Sequence, residues 1–413
     1  MRYNVQEKYS SAGYGERMRK KHTGLKVLML AVTVIACAFL ARGLYCRYRR
    51  EGANPHSGIW LSREAASALE SIERADEYGY FYTFDAYYDY STFFLREPLR
   101  LLAPRLNAGC SAFYCRDEYG THLTGRNYDL AHLDESGNVT GLNVMVRTAP
   151  RNGYSAVAMA DARWLYEADS RIRPGCADDG STDLSLFAFL PWMCMDGINE
   201  KGLCVSILAV DIKEGEACTD QNDPGKKEKI PLTFLLRILL DTCADVNEAA
   251  LTAGQYNIES TAGHDYHLFV TDAKGNSAVL EWRRNKLTVT ATDAATNFYL
   301  CDEDGADRCE NGVLIEAYRK PPETKRAYKM GYGHGYERFC TMITRLDGHR
   351  SDADDPAVMS KEQAQSLLED TFQSYTGELT SFTQYSCLYS AEDRSLTVTP
   401  VLGGGAVYTF YVY

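Results

Sequence analysis

Cys110 stands between a glycine and a serine in the stretch AGCSAFYCRDEYGTHLTGRNYDL (residues 108–130), and Arg126, Asn127 and Asp129 follow it as a cluster. A thiol becomes a competent nucleophile only when its proton is removed. Histidine is the usual base, and the chain offers His122, His132, His264, His267 and His334, none in a recognisable cysteine-protease setting. Another solution needs no histidine. If the peptide bond before Cys110 is cut, the new α-amino group, with a reference pKa of about 7.7–8.0, lies beside the thiol and serves as its base. Gly109 suits this reading, because a residue without Cβ lets the thiol approach its own preceding carbonyl and tolerates a strained backbone. The plain alternative is a hairpin with a buried structural thiol.

Other clusters carry less. The run HDYH (264–267) lacks the i, i+4 spacing and the glutamate of a zinc protease and reads as two ordinary histidines. GYGHGY (331–336) has no GK[ST] around it and reads as a flexible loop, and GGG (403–405) reads as a turn. The 13 cysteines include no CxxC pair, so mostly buried free thiols are expected, with a bridge or two at most. No metal or cofactor is implied.

The elements that must position Cys110 follow from texture. Residues 1–24 are polar and basic and read as a disordered tail. Residues 25–45, LKVLMLAVTVIACAFLARGLY, hold fifteen uncharged, mostly apolar residues between Lys26 and Arg42, whose side chains can snorkel. This is a transmembrane anchor or a cleaved signal segment. Residues 46–109 read as a pro-region or linker, helical over 58–79 and in short pieces over 91–106, an appendage and not a domain. From Cys110 to residue 413, short apolar runs alternate with turns such as DEYG and DAKGN, with helices expected over 231–254 and 360–375. Many strands with few helices predict an α+β fold of antiparallel sheets.

Charge narrows the partners. Residues 1–50 carry eleven Lys or Arg against two Glu, which leaves about −21 on the remaining 363 residues of a chain whose net charge is −12. An acidic body argues against nucleic acid, which needs a basic face. The basic flanks belong with the membrane segment, and a short tail before it puts the bulk of the chain outside the cytoplasmic membrane, anchored or, if the segment is cleaved, secreted.

Cys110 with GRNYD resembles the N-terminal-nucleophile hydrolases of the choloylglycine hydrolase and penicillin V acylase group, which includes acid ceramidase and N-acylethanolamine acid amidase. There a nucleophilic cysteine is followed sixteen and nineteen residues later by Arg and Asp, here Arg126 and Asp129. MDGINEKGLCVSIL (195–208) and HLFVTDAKGNSAVLEW (267–282) look like the family's NEKGL turn and central hairpin. TNFYL (296–300) is similar to its catalytic-asparagine segment, YERFCTM (336–342) to a segment with an active-site arginine, and TQYSCLYS (383–390) to its late strand. The resemblance runs over about 300 residues. It implies an αββα sandwich, Cys110 as nucleophile, Arg126 holding the thiolate or a substrate carboxylate, Asp129 orienting the new α-amino group, Asn297 donating to an oxyanion, and Arg338 as an active-site arginine. Asn199 in GINEKG reads as a turn residue. The position that carries an oxyanion-lining Asn or Tyr in bile salt hydrolases is Ala209, which leaves the second donor unidentified.

The expectation is thus a hydrolase of linear amides in small N-acyl compounds, working through a thioester and matured by cleavage before Cys110. An acyltransferase using the same thioester and a catalytically silent, surface-displayed binding module are the alternatives. Substrate, oligomeric state and the fate of residues 46–109 stay open.

Overall fold

The strands Cys194–Asn199 and Cys204–Val210 are buried at every position, without the alternation of a one-sided sheet. Such runs arise when both faces of a sheet are covered, and that is the architecture here. In the computed structural model, residues 61–90, 108–164, 184–210, 220–259, 265–283, 285–300, 309–310, 313–314, 333–352, 355–375 and 381–413 are described. The chain divides into a unit of residues 1–54 and 58–63, described only over 61–63, and a unit of residues 55–57 and 64–413. Everything below concerns the second unit.

Its large sheet has nine strands in chain order: β1 (Glu73–Arg74), β2 (Phe81–Ala86), β5 (Asn143–Thr148), β6 (Ala156–Asp161), β7 (Cys194–Asn199), β8 (Cys204–Val210), β9 (Asp265–Thr271), β10 (Ser277–Arg283) and β11 (Lys286–Ala291). The small sheet is ordered β12 (Ala294–Ala295), β3 (Ala108–Arg116), β4 (His122–Leu130), β13 (Thr383–Ser390), β14 (Ser395–Pro400) and β15 (Tyr408–Tyr411). The sheets meet face to face around Cys110, Tyr114, Met145, Met159, Phe269 and Val279. After α1 (Arg63–Ala68), helices α2 (Leu232–Thr242) and α3 (Val246–Ala253) pack on β7–β10, and α4 (Gly333–Asp347) and α5 (Lys361–Asp370) pack on β3, β4, β12 and β13. The order of layers is helix, sheet, sheet, helix, in a mixed α+β fold of mainly antiparallel sheets.

Both expected helices form. The run 231–254 splits because Asp245 caps a second helix, its side chain accepting from Glu248 N–H. The other starts with a reciprocal capping box between Ser360 and Gln363. The hairpin turns close through Asp117, which accepts from Tyr119 and Thr121 N–H, and Asp272, which accepts from Lys274 and Asn276 N–H.

Three expectations change. The segment before the catalytic run is no helical appendage: after α1 and a turn over Leu69–Ser71 it adds β1 and β2 to the large sheet. Burial on both faces decides this, since Phe81 and Phe84 lie on opposite sides of the strand, both are fully buried, and Phe81 packs against the rings of Tyr408 and Phe410. The sheets are not purely antiparallel, because β2 runs parallel to β5, Phe81 opposite Asn143 through Ala86 opposite Thr148. GYGHGY is no flexible loop either: from Gly333 it forms the first turn of α4. The tail 1–24, the segment 25–45 and residues 91–106 lie outside the described residues. Among the described residues no helix is long and apolar enough to cross a membrane. The seven cysteines with described side chains are free thiols.

Candidate active site

Arg126, Asn127 and Asp129 lie on β4, a strand and not a turn, paired antiparallel with β3 so that Cys110 sits opposite Tyr128. Paired residues share a face and neighbours alternate. Cys110, Tyr128 and Tyr385 form one row, and Ala112, Arg126 and Cys387 the next, facing the large sheet. Gly109 with Asp129, and Ser111 with Asn127, face the opposite way, toward the helical layer, where Asn127 Nδ2 donates to Leu368 O of α5 at 2.8 Å and Arg338 of α4 reaches Ser111. The cysteine and the arginine thus share one side of the ladder, and the aspartate lies on the other.

Arg126 is fully buried on β4. Its Nη2 donates to Ile207 O at 2.6 Å and its Nη1 to Asn127 O at 2.6 Å, while Nε lies 3.5 Å from Asp196 Oδ2. Burial opposes its charge, but the Cys110 thiol and Asp196 outweigh that and hold the guanidinium above its ordinary pKa. Asp196 is itself fully buried; Tyr385 O–H donates to its Oδ2 at 2.8 Å and Tyr389 O–H to its Oδ1. Burial pushes its carboxyl above the usual range, with Arg126 and the two phenols opposing.

Asn297 and Arg338 converge on Cys110. Cys110 N–H donates to Asn297 Oδ1 at 2.9 Å. Arg338 Nη2 donates to the same oxygen at 2.6 Å, and Nη1 to Cys110 O at 2.5 Å and Ser111 Oγ at 2.6 Å. Arg338 is 5% exposed, so it is no surface arginine. Asn297 Nδ2 donates to Ala209 O at 2.7 Å. Ala209 therefore touches the site through its backbone, with Tyr266 opposite it on β9. The Tyr266 phenol is held above its ordinary pKa by burial first, then by Cys110 and Asp265.

The Asn297 segment is clamped from the large sheet. The His267 ring lies 3.0 Å from Glu281 Oε1 through Nδ1 and 2.8 Å from Thr296 O through Nε2, and Leu300 N–H donates to Glu281 Oε1 at 2.8 Å. Helix α4 presses on the same segment. Thr296 Oγ1 donates to Gly335 O at 2.8 Å, and a Cβ on Gly335 would come within 3.3 Å of Asn297 Cβ. That close approach accounts for a glycine at this point of the helix.

Asp129 is fully buried and accepts from Thr383 Oγ1 at 2.7 Å and from Gln373 Nε2, with Arg338 Nη1 3.5 Å away. Burial raises its carboxyl above the usual range against the pull of Arg338, Thr383 and Gln373. Gly109 needs a different account from the one its sequence suggests. It lies in regular β3 pairing and is not among the positive-φ glycines, so backbone strain is not its reason. A Cβ there would sit 2.1 Å from Gln373 Nε2.

All five expected residues meet around the Gly109–Cys110 bond. Sequence reasoning did not single out Ser111, Asp196, Gln373, Thr383, Tyr385 or Tyr389; all of these but Gln373 lie in quoted motifs, and Gln373 lies in none. Asn199 is a turn residue, its Oδ1 accepting from Lys201 and Leu203 N–H. A cavity of about 530 Å³ lined in part by Asp85, Arg147 and Tyr413 contains none of the five, and Cys110 is 2% exposed in this intact chain. Among the described residues no group of His, Cys, Asp and Glu could hold a metal ion.

Residues 110–297 match the family model described as linear amide C-N hydrolases, choloylglycine hydrolase family. No curated protein matches the chain. Among solved structures, a mutant conjugated bile acid hydrolase from Clostridium perfringens is 17% identical, with 73% of this chain and 92% of that one covered and a TM-score of 0.47. Penicillin V acylase from Agrobacterium tumefaciens is 17% identical, with 73% and 86% covered and a TM-score of 0.44.

Proposed function

We propose that this chain, whose residues 110–297 match the model of the linear amide C-N hydrolases of the choloylglycine hydrolase family, is such a hydrolase with Cys110 as its nucleophile, released as a new N-terminus by cleavage after Gly109. The observation that carries this reading is the convergence of Asn297 Oδ1 and Arg338 Nη1 on the two peptide groups of Cys110, its N–H and its carbonyl. Contacts of that kind hold a backbone, and a buried structural thiol has no use for them. The layered architecture supports an αββα N-terminal-nucleophile sandwich.

In the cut enzyme the Cys110 α-amine takes the thiol proton, and Sγ adds to the substrate amide carbonyl. Asn297 Oδ1, which receives the peptide N–H in the intact chain, then receives the amine, and Asp129 takes a share of its protons. The Asn297 amide N–H other than the one donated to the Ala209 carbonyl stabilises the oxyanion, a contribution of the type that preorganised donors supply. Arg126, on the Cys110 face, balances thiolate charge. Collapse expels the amine product, which leaves with a proton from the α-ammonium. Water, deprotonated by the α-amine, attacks the thioester and releases the acid. The substrate class is a small N-acyl amide. Residues 25–45 tether or export the chain, and the catalytic domain works outside the cytoplasmic membrane.

The test is the N-terminal residue of the purified chain beside Cys110→Ala. A fragment beginning at Cys110, present only without the substitution, together with hydrolysis of acyl amides by the cut material, is expected. An intact chain without thiol reactivity would overturn the reading in favour of a silent binding module. Acyl transfer to an added amine in preference to water would turn it to an acyltransferase.

A further inference from the structure

Gly109 is the residue whose carbonyl must be attacked for Cys110 to become an N-terminus, and it is packed in an unusual way. A Cβ on it would lie 2.1 Å from Gln373 Nε2, 3.0 Å from Gln373 Cδ and 3.0 Å from Ser381 Oγ. Real Cβ atoms do not approach so closely, so any side chain at 109 must displace the carboxamide. The end of a glutamine is ordinarily flexible, but this one is committed at both atoms. Its Nε2 donates to Asp129 Oδ2, and its Oε1 accepts from Ser381 Oγ. Its backbone is bound as well: Gln373 N–H donates to Thr383 Oγ1 at 2.9 Å, and Thr383 N–H donates to Gln373 O at 3.0 Å. Gln373 and Ser381 are buried, at 4% and 8% exposure, so no water compensates a displaced amide. Asp129, which loses one of its two side-chain donors if Gln373 moves, is the direct cross-strand partner of Gly109.

We propose that Gln373, backed by Ser381, is the residue that dictates glycine before the scissile bond and holds the Gly109 carbonyl in place for attack by Cys110. The inference rests on the proposed maturation at this bond and deepens it. In that step the Cys110 Sγ–C(Gly109) bond forms and the Gly109–Cys110 C–N bond breaks. The thiol proton ends on the Cys110 nitrogen, now an α-amine. Water then hydrolyses the thioester, giving the Gly109 carboxylate and regenerating the thiol. Gln373 takes no part in bond making. It acts by position, seating the peptide from one side while Asn297 and Arg338 hold Cys110 from the other. Once the bond is cut, Gly109 no longer has to stay against Gln373, and Gln373 keeps its bonds to Asp129, Ser381 and Thr383.

The test uses full-length chains followed by the appearance of the fragment that begins at Cys110. Gly109→Ala is expected to slow cleavage by about 100-fold, the cost of a misplaced reacting group. Gln373→Ala in the same chain, which opens the space that the new methyl needs, restores at least part of the rate, although Gln373→Ala alone slows it. Equal cleavage of Gly109→Ala and the unaltered chain overturns the proposal, and so does a double variant no faster than Gly109→Ala. A second measurement does not depend on cleavage. In chains kept intact by Cys110→Ala, Gly109→Ala lowers the thermal midpoint and Gln373→Ala recovers part of that loss; strictly additive losses overturn the contact. If the unaltered chain never cuts before Cys110 while the midpoints still couple, the maturation reading falls and the packing constraint stands alone.

Discussion

Cys110 and Asn297 are 187 residues apart in the chain and are joined by a 2.9 Å hydrogen bond from the Cys110 peptide N–H to Asn297 Oδ1. The same oxygen takes Arg338 Nη2, and the amide nitrogen is aimed at the Ala209 carbonyl. The carboxamide is therefore oriented by its acceptors and donors before any substrate arrives. An amide fixed in this way costs no reorganisation when charge develops beside it.

Asn297→Ala is expected to lower kcat for an acyl amide by about 100 to 1,000-fold, the usual loss for one oxyanion donor. The comparison is made on cut enzyme, so that slow maturation is not read as slow hydrolysis. An unchanged kcat with a raised KM would assign Asn297 to substrate binding instead.

Asp196 holds the buried Arg126 charge and has no exposure of its own. Asp196→Ala leaves a buried guanidinium without its counter-charge, and the stability measured by urea unfolding falls by about 3–5 kcal/mol. Asp196→Asn, which keeps one of the two acceptor oxygens for the tyrosines but not the charge, falls between. If both variants unfold like the unaltered chain, the pair carries no weight in the fold.

Asp129 sets a pH dependence whose sign follows from burial. Its carboxyl is raised above the ordinary value of 3.8 by burial, against Arg338 and its hydrogen-bond donors. The folded chain therefore keeps a proton there that the unfolded chain has lost. Stability from this group is present in full below 3.8 and declines as pH rises through the folded value. Measured in chains kept intact by Cys110→Ala, the stability advantage over Asp129→Asn should shrink across that window and level off above it. An advantage that grows with pH would mean that the carboxylate is held charged.

Cleavage before Cys110 should not release the upstream fragment. Strand β2 lies inside the large sheet between β1 and β5, and Phe81 and Phe84 are fully buried. Each such side chain contributes about 1.5–3 kcal/mol on burial. Tyr90 O–H also donates to Asp241 Oδ2 at 2.7 Å. Both pieces should elute together on gel filtration and part only in denaturant. Separation under native conditions would show that the strand is dispensable after maturation.

Much of the site was legible because hairpin geometry is local. The spacing of Arg126 and Asp129 from Cys110 is the register of two adjacent strands joined by a short turn, so the motif could be read without the rest of the chain. Helices α2, α3 and α5 were legible for the same reason, from apolar periodicity. Helix α4 was not: its glycine-rich start resembles a loop, and only its packing on Asn297 explains Gly335. Strand β2 was hidden between two stretches read as helical, because its partner β5 begins some sixty residues later and local pattern cannot register so distant a pairing.

By itself the sequence determined the nucleophile candidate and the acidic body, which follow from residue types and composition, while its resemblance to a known family pointed to Arg126, Asp129 and the segments that carry Asn297 and Arg338. The tertiary structure decided which atoms meet: Asn297 and Arg338 on the two peptide groups of Cys110, Asp196 under Arg126, and Gln373 against Gly109. These contacts join segments brought together only when two sheets and their helices bury a common core. Their geometry belongs to that burial, and no stretch of chain carries it alone.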